Sequence, residues 1–157
     1  MKYFTIILFF VVAQCGFSPM YKLENGGVGL DQLSIKFIGE IENEIQEELE
    51  SLIGTSQTDT GYVVSVEVKK DQVPIIINEN GTVSKYQIDI ALFFEVKNNL
   101  GEVILNSVSV GFAQYDVLVS EIDNEDLQEQ MLRSATNDAA SLMITKIQSK
   151  LSLNNDN

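Results

Sequence analysis

One stretch in the middle of the chain alternates between apolar and polar residues, and this pattern constrains the fold most. Asn80-Gly81 comes before the stretch and Asn98 to Gly101 follows it, and both segments are typical of tight turns. A strand bounded by two tight turns pairs with its sequence neighbours in antiparallel order, so we predict a meander. The residues that share one face of this strand are Tyr86, Ile88, Ile90, Leu92, Phe94 and Val96.

The flanking segments supply two further strands of the meander. Tyr62 to Lys69 alternates before the first turn. Asp71 to Pro74 is expected to interrupt that strand, because proline has no amide donor for the ladder, and Ile75 to Ile77 are a segment that could resume it. After the second turn Val103 to Tyr115 forms a strand, one face of which carries Val108, Val110 and Phe112.

A strand and a helix precede the meander. Leu33 to Ile38 alternates and predicts the first strand. A helix then follows, ended by Gly54, with many glutamates on its solvent side. Its apolar stripe is expected to consist of Ile38, Ile41, Ile45, Leu49 and Leu52.

The last segment is also helical. Asp123 to Asp126 place cap-type and acidic residues in its first turn, where the helix dipole favours negative charge. Its apolar stripe contains Leu132, Ala135, Ala139, Met143, Ile147 and Leu151. The whole order predicts an α+β fold, a two-layer sandwich of two helices packed on a four-stranded, mostly antiparallel sheet, in the order β-α-β-β-β-α. The second sheet face carries Val63, Ala91 and Phe93 among polar residues, so it either meets solvent or is built to meet a partner.

The N-terminal residues are typical of an export signal. Lys2 is followed by the apolar run Tyr3 to Ala13, which is too short for a membrane helix of roughly 20 residues. Cys15 follows this run, which indicates a lipoprotein whose thiol receives a diacylglycerol and whose new N-terminus is acylated. An ordinary cleaved signal or a retained anchor are the alternatives, since lipoprotein signals rarely have a residue like Gln14 before the cysteine. We therefore expect a signal peptide at 1–14, a lipidated tether at 15–32, one domain at 33–153 and a loose tail at 154–157.

Composition excludes several classes of function. The formal net charge of −13 opposes binding to nucleic acid. The chain has no histidine and one cysteine, so it cannot form a Ser-His-Asp triad, a histidine metal site or an internal disulfide. Acidic residues abound, but no pair stands out as an acid–base couple. We expect no enzyme activity, no catalytic residue, no metal and no cofactor apart from the lipid on Cys15.

Several motifs resemble one family. The segment Cys15-Gly16-Phe17-Ser18-Pro19-Met20-Tyr21 resembles the start of the mature lipopolysaccharide-assembly lipoprotein LptE of alphaproteobacteria. The stretch Asn80 to Gln87 resembles the Asn-Gly hairpin of that family, and Asp123-Asn124-Glu125 is similar to its sequence near the last helix. The predicted order of elements is also similar. The heptapeptide is the specific part of the resemblance.

The resemblance implies a structural role in the outer membrane. LptE proteins are anchored in the inner leaflet of that membrane, fill the lumen of the LptD β-barrel, help the barrel to assemble and assist lipopolysaccharide on its way to the cell surface. The implied partners are therefore LptD, lipopolysaccharide and the outer membrane. A compact domain with a polar exterior suits a wide polar lumen.

The resemblance also suggests contact residues at the hairpin. The candidates for contact with lipopolysaccharide or the barrel are Asn80, Gly81 and Lys85, and the alternative is an ordinary turn followed by a solvated strand lysine. Studied family members carry basic residues at the hairpin tip and before the last helix, whereas this chain has Glu79 and Ile122. This departure matters because phosphates prefer arginine or lysine.

A second class of function stays open. The apolar stripes of the two helices and the long central strand could enclose a pocket, which would make the protein a periplasmic lipoprotein module that binds a small ligand or lipid for a transporter. The sequence contains no polar cluster that converges on such a pocket. An apolar cavity of several hundred Å³ between helices and sheet would favour this alternative.

Overall fold

The elements occur in the predicted order. The computed structural model describes residues 33–53 and 61–155, with side chains described through residue 152. In chain order the elements are β1 (Leu33–Ile38), α1 (Asn43–Ile53), β2 (Tyr62–Ile77), β3 (Val83–Lys97), β4 (Val103–Asp116) and α2 (Glu121–Asn155). The sheet order is β1-β2-β3-β4, with β1 parallel to β2 and the other pairs antiparallel. The predicted α+β fold is confirmed.

One apolar core lies between the helices and one face of the sheet. The alternating residues of β3 supply its centre, as the period of two predicts. The apolar stripe of α2 covers them, and Ile45, Leu49 and Ile53 of α1 complete the core. The buried members of the β3 and α2 stripes are Ile88, Ile90, Leu92, Phe94, Val96, Leu132, Ala135, Ala139, Met143, Ile147 and Leu151.

The two hairpins of the meander have the same turn geometry. Gly81 and Gly101 are left-handed, with φ of 84° and 81°, and each amide donates to the carbonyl of the asparagine three residues earlier. This is a type I turn closed by a left-handed glycine. Asn80 keeps a negative φ, so only the glycine of the predicted Asn-Gly pair uses left-handed backbone.

The predicted interruption of the second strand is wrong. β2 continues through Pro74, which pairs with Tyr86, and its register shifts only between Pro74 and Ile77. The reason is the short partner on its other side, because β1 ends where Ile38 pairs with Glu67. Beyond that point no described strand pairs with this edge of β2, and a proline costs no ladder hydrogen bond there.

The first helix begins later than its apolar stripe predicts. Ile38 is the last residue of β1 and is exposed, and Gly39 then turns the chain with a φ of 85°. Ile41 packs on the core but precedes the helix, which begins at Asn43. The stripe that α1 itself buries is therefore Ile45, Leu49 and Ile53, with Leu52 partly buried.

The fourth strand turns its larger apolar side chains away from the core. Ser109, Ala113 and Tyr115 face the helices, whereas Val108, Val110 and Phe112 lie on the open face of the sheet. The cause is the close approach of α2 at Gly111, where an added Cβ would overlap the main chain of Ala135 and Ala139. Small residues are needed under the helix at positions 109–113, so the larger side chains of this stretch occupy the opposite face.

Candidate functional site

The sheet has two ends with different surroundings. The proximal end holds Leu33, where the described chain enters β1, and the β3–β4 hairpin at residues 98–102. The distal end holds the β2–β3 hairpin at residues 78–82 and the connection from β4 to α2 at residues 117–120. Asn80, Gly81 and Lys85 all belong to the distal end, so the structure brings these three candidates together.

Asn80 and Gly81 have a structural part in the hairpin. The side-chain oxygen of Asn80 accepts hydrogen bonds from the amide and hydroxyl of Thr82, at 3.1 and 2.7 Å. Asn78 donates from its amide side chain to the same hydroxyl at 2.9 Å. These bonds fix the conformation of an exposed hairpin tip. The outer surface of the tip remains accessible to a partner.

Lys85 is engaged on the sheet. Its ammonium lies 3.1 Å from a carboxylate oxygen of Asp116 on the neighbouring strand, and its side chain is 28% exposed. Lys85 is the only basic residue in residues 75–85 and 116–123, which also contain Glu79, Glu121 and Asp123. A phosphate would have to displace Asp116 and approach an acidic surface, so the chemistry of this end does not favour phosphate.

An exposed apolar cluster is the main feature of the distal end. We call it the distal rim; Val119 is fully exposed and Ile122 is 72% exposed. The first residues of β3 lie between the two halves of the distal rim. On one side Ile77 pairs with Val83, and on the other Val117 donates to the carbonyl of Ser84. The members of the distal rim are Ile75, Ile76, Ile77, Val117, Leu118, Val119 and Ile122.

The connection that carries half of this rim is fixed to α2. Asn124 accepts a hydrogen bond from the amide of Leu118 at 2.6 Å and donates to its carbonyl at 2.7 Å. The hydroxyl of Ser120 accepts from the amide of Asp123 at 3.4 Å, as an N-cap does. The helix thus begins before the predicted Asp123, and Asn124 holds the loop rather than capping the helix.

Sequence reasoning missed the rim as a site. The pattern predicts Ile75 to Ile77 only as a resumed strand, and it places residues 117–119 between the fourth strand and the last helix. The run Val117-Leu118-Val119 is the signal that could have found it, because apolar side chains are rarely placed together in a loop without a partner. The proximal hairpin, with the sequence Asn98 to Glu102, has only one such residue, Leu100.

A polar cleft lies on the helix side of the sheet. It has a volume of about 330 Å³, and Lys70 crosses it to contact both carboxylate oxygens of Glu42 at 2.5 and 2.6 Å. This cleft is not the apolar cavity that a lipid-binding module needs, because its lining consists of Glu42, Glu44, Lys70, Glu125, Gln128, Glu129 and Leu132.

Two groups near this cleft have shifted pKa values. Burial, and secondarily the neighbouring Tyr86, raise the pKa of Tyr115, whose ring stacks on Tyr86 with centroids 5.7 Å apart. Hydrogen bonds to Glu129 and Glu47 raise the pKa of Arg133, which pairs with Glu129 within α2 at 3.1 Å and joins α2 to α1 through Glu47 at 3.3 Å. Both groups keep their ordinary protonation at neutral pH, and neither is placed as a catalytic acid or base.

The predicted lipidation site lies outside the described residues. This applies to Cys15, the signal peptide, the tether and the segment around Gly54. In the part of the chain that the structure describes, no helix has the length and apolar character to span a bilayer.

The class of protein that the fold defines is a two-layer α+β domain with a β-α-β-β-β-α order. No family model matches the chain, and no curated protein matches its sequence. Solved structures do match. The rare lipoprotein B of Shewanella oneidensis is 15% identical with a TM-score of 0.59, and the match covers 80% of this chain and 99% of that one.

Two further structures have the same architecture. A minor lipoprotein of Acinetobacter baumannii is 16% identical with a TM-score of 0.55, over 82% of this chain and 95% of that one. The lipoprotein B of Nitrosomonas europaea is 10% identical with a TM-score of 0.54, over 76% and 83%. At these identities the similarity establishes a shared fold.

Proposed function

We propose that this protein is a lipid-anchored structural protein of the Gram-negative cell envelope, not an enzyme. The observation that carries the proposal is that its fold matches solved lipoproteins over most of both chains. Cys15 directly after a short apolar run supplies the chemistry for the anchor. Stable membrane anchoring needs more than one acyl chain, which a diacylglycerol together with an N-acyl chain provides.

The particular role that we propose is that of an LptE-type subunit at the outer membrane, which fills an LptD-type barrel and assists lipopolysaccharide export. The heptapeptide after Cys15 and the element order support this role. The acidic outer face of α1 and the polar side chains of the sheet suit contact with a polar lumen. The described chain enters β1 at the proximal end, and the distal rim lies at the opposite end of the sheet.

We propose that the distal end contacts lipopolysaccharide through apolar rather than phosphate chemistry. Aliphatic side chains of the distal rim match acyl chains, whereas Lys85 is paired with Asp116. Ile122 stands where studied LptE proteins carry a basic residue, and an apolar contact fits this residue. Glu79 likewise replaces a basic residue at the tip and disfavours a phosphate there. Asn80 and Gly81 would then shape the tip beside the rim.

The test uses the full tagged chain in its native host. We expect it in outer-membrane fractions, in a complex with a barrel of much larger mass. The Cys15→Ala variant should be released from the membrane because it has no acceptor thiol. A wild-type chain that is soluble in the periplasm and captures no barrel would refute the proposal, and attachment of Cys15→Ala would refute the anchor alone.

A further inference from the structure

Within residues 33–53 and 61–155, no strand pairs with the outer edge of β4. In the same part of the chain, the edge of β2 beyond Glu67 also has no partner strand, but Lys69, Lys70, Pro74 and a shift in register protect it. By contrast β4 has no charged residue from Val103 to Tyr115, no proline, and a continuous register with β3 from Leu105 to Asp116. A long, uncharged edge of this kind is a template for another strand.

Two hydrogen bonds show which residues of β4 present their backbone to this edge. Val117 donates to Ser84, so odd-numbered positions pair with β3. Lys146 of α2 donates to the carbonyl of Val108 at 2.6 Å, so even-numbered positions point outward. Because the orientation alternates in an antiparallel ladder, Val108, Val110, Phe112 and Gln114 direct their amides and carbonyls to this edge. Lys146 occupies the carbonyl of Val108, and a strand added to β4 would displace its ammonium from that carbonyl.

Apolar side chains lie beside the same edge. On the open face Val108, Val110 and Phe112 are 38%, 52% and 59% exposed. On the helix side Leu142 is exposed and lies one turn before Lys146, so it flanks the edge as well. A strand added to β4 would therefore cover apolar surface on both faces.

We propose that β4 pairs with β4 of a second copy in antiparallel order, around a two-fold axis at Val110. This register places Val108 opposite Phe112 of the second copy, so all three exposed apolar residues meet apolar partners. A shift of two residues would put Asn106 opposite Phe112 or Gln114 opposite Val108, and one apolar residue would lose its apolar partner. The edge is thus self-complementary, as a two-fold interface requires.

The charges on α2 match in the same arrangement. Lys146 lies above Val108, and Asp138 lies above Gly111 at the other end of the apolar stripe. The two-fold axis therefore brings Lys146 toward Asp138 of the second copy, and Leu142 toward its own equivalent. The acidic helix α1 packs against β1 and α2, toward the other edge of the sheet, so its glutamates do not oppose the contact.

Cysteine crosslinking in the full chain tests the pairing and its register. Val110→Cys should form a disulfide-linked dimer in the oxidising envelope, since directly opposed positions of a strand pair have Cα atoms about 5.5 Å apart. Val108→Cys alone should form little, but co-expressed with Phe112→Cys it should form the mixed dimer. Glu67→Cys, which is exposed on β2, is the control for disulfides formed by random collision. The wild-type chain is the control for any dimer that is linked through Cys15.

A second measurement is independent of disulfide chemistry. For the full chain in mild detergent, light scattering should give twice the monomer mass, and Val110→Lys should give the monomer because it places charge on the edge. Leu100→Lys, an exposed change at the proximal hairpin, should stay dimeric. A monomeric wild type with no Val110→Cys dimer, or an adduct of Val110→Cys with another protein, overturns the proposal. Neither readout requires a barrel or lipopolysaccharide.

Discussion

Gly111 of β4 lies directly against the main chain of Ala135 on α2. A Cβ at this glycine would overlap the carbonyl oxygen of Ala135 and lie 2.5 Å from the amide nitrogen of Ala139. The helix therefore rests on the strand, backbone to backbone, at this point. The contact explains why α2 carries alanines here and why the larger side chains of β4 occupy the open face.

Gly111→Ala should be strongly destabilising, because the added methyl meets backbone that cannot rotate away. We expect a loss of about 3 kcal/mol in the free energy of unfolding, the upper part of the usual range for overpacking, measured by urea denaturation. Gly101→Ala is the control, since its Cβ would meet open space and only the left-handed φ of 81° is strained. It should cost about 1 kcal/mol. Equal losses for the two variants would show that α2 shifts freely.

Charge in the distal rim should impair the proposed function without affecting the fold. Val119→Asp and Ile122→Asp change exposed side chains, so stability should stay within about 0.5 kcal/mol of wild type. Lipopolysaccharide recovered with the purified chain should fall about tenfold, equivalent to about 1.4 kcal/mol. Leu100→Asp at the proximal hairpin is the matched control and should recover the wild-type amount. Unchanged recovery for both rim variants would contradict an apolar contact.

Removal of the Asn124 side chain should loosen the connection between β4 and α2. Asn124→Ala loses both bonds to Leu118, and the amides of residues 117–120 should exchange hydrogen at least about tenfold faster. Asn124→Asp keeps the acceptor for the Leu118 amide but lacks the donor, so its exchange should be intermediate. If Asn124→Ala exchanged like wild type, the loop would be held by contacts other than these bonds.

The sequence predicted those elements whose signal is local. The alternation of β3, the stripe of α2 from Leu132 to Leu151 and the two glycine turns all depend on residues close in the chain. Pro74 was misjudged because its tolerance depends on β1 being short, which is a property of another segment. Ile38 was misjudged because a step of three residues to Ile41 imitates a helix across the turn at Gly39.

The candidate site could be predicted only in part. Asn80, Gly81 and Lys85 lie at one end, as their spacing along a hairpin requires, but the pairing of Lys85 with Asp116 depends on the register of β4. The alternation of residues in β4 also does not indicate which face of the strand meets α2. The face with Val108, Val110 and Phe112 is the open one. The lipid on Cys15 stays a prediction.

The free energy of unfolding should fall at high pH in a way that depends on Tyr115. Its folded pKa is raised above the unfolded value of about 10 by burial and by Tyr86. The folded state therefore holds the proton longer, so this contribution is complete below about pH 10 and is lost as the pH rises through the folded pKa. Tyr115→Phe should show a shallower fall above about pH 10 in urea denaturation.

The hydrogen bonds of Tyr115 must be separated from its titration. Its hydroxyl accepts from Gln72 at 2.5 Å and donates to Gln128 at 3.3 Å, so Tyr115→Phe should also lose about 1 kcal/mol at neutral pH. Gln128→Ala loses one of these bonds but keeps the phenol, so it should keep the steep fall of the wild type. Parallel curves for wild type and Tyr115→Phe would show that Tyr115 does not cause the loss of stability above pH 10.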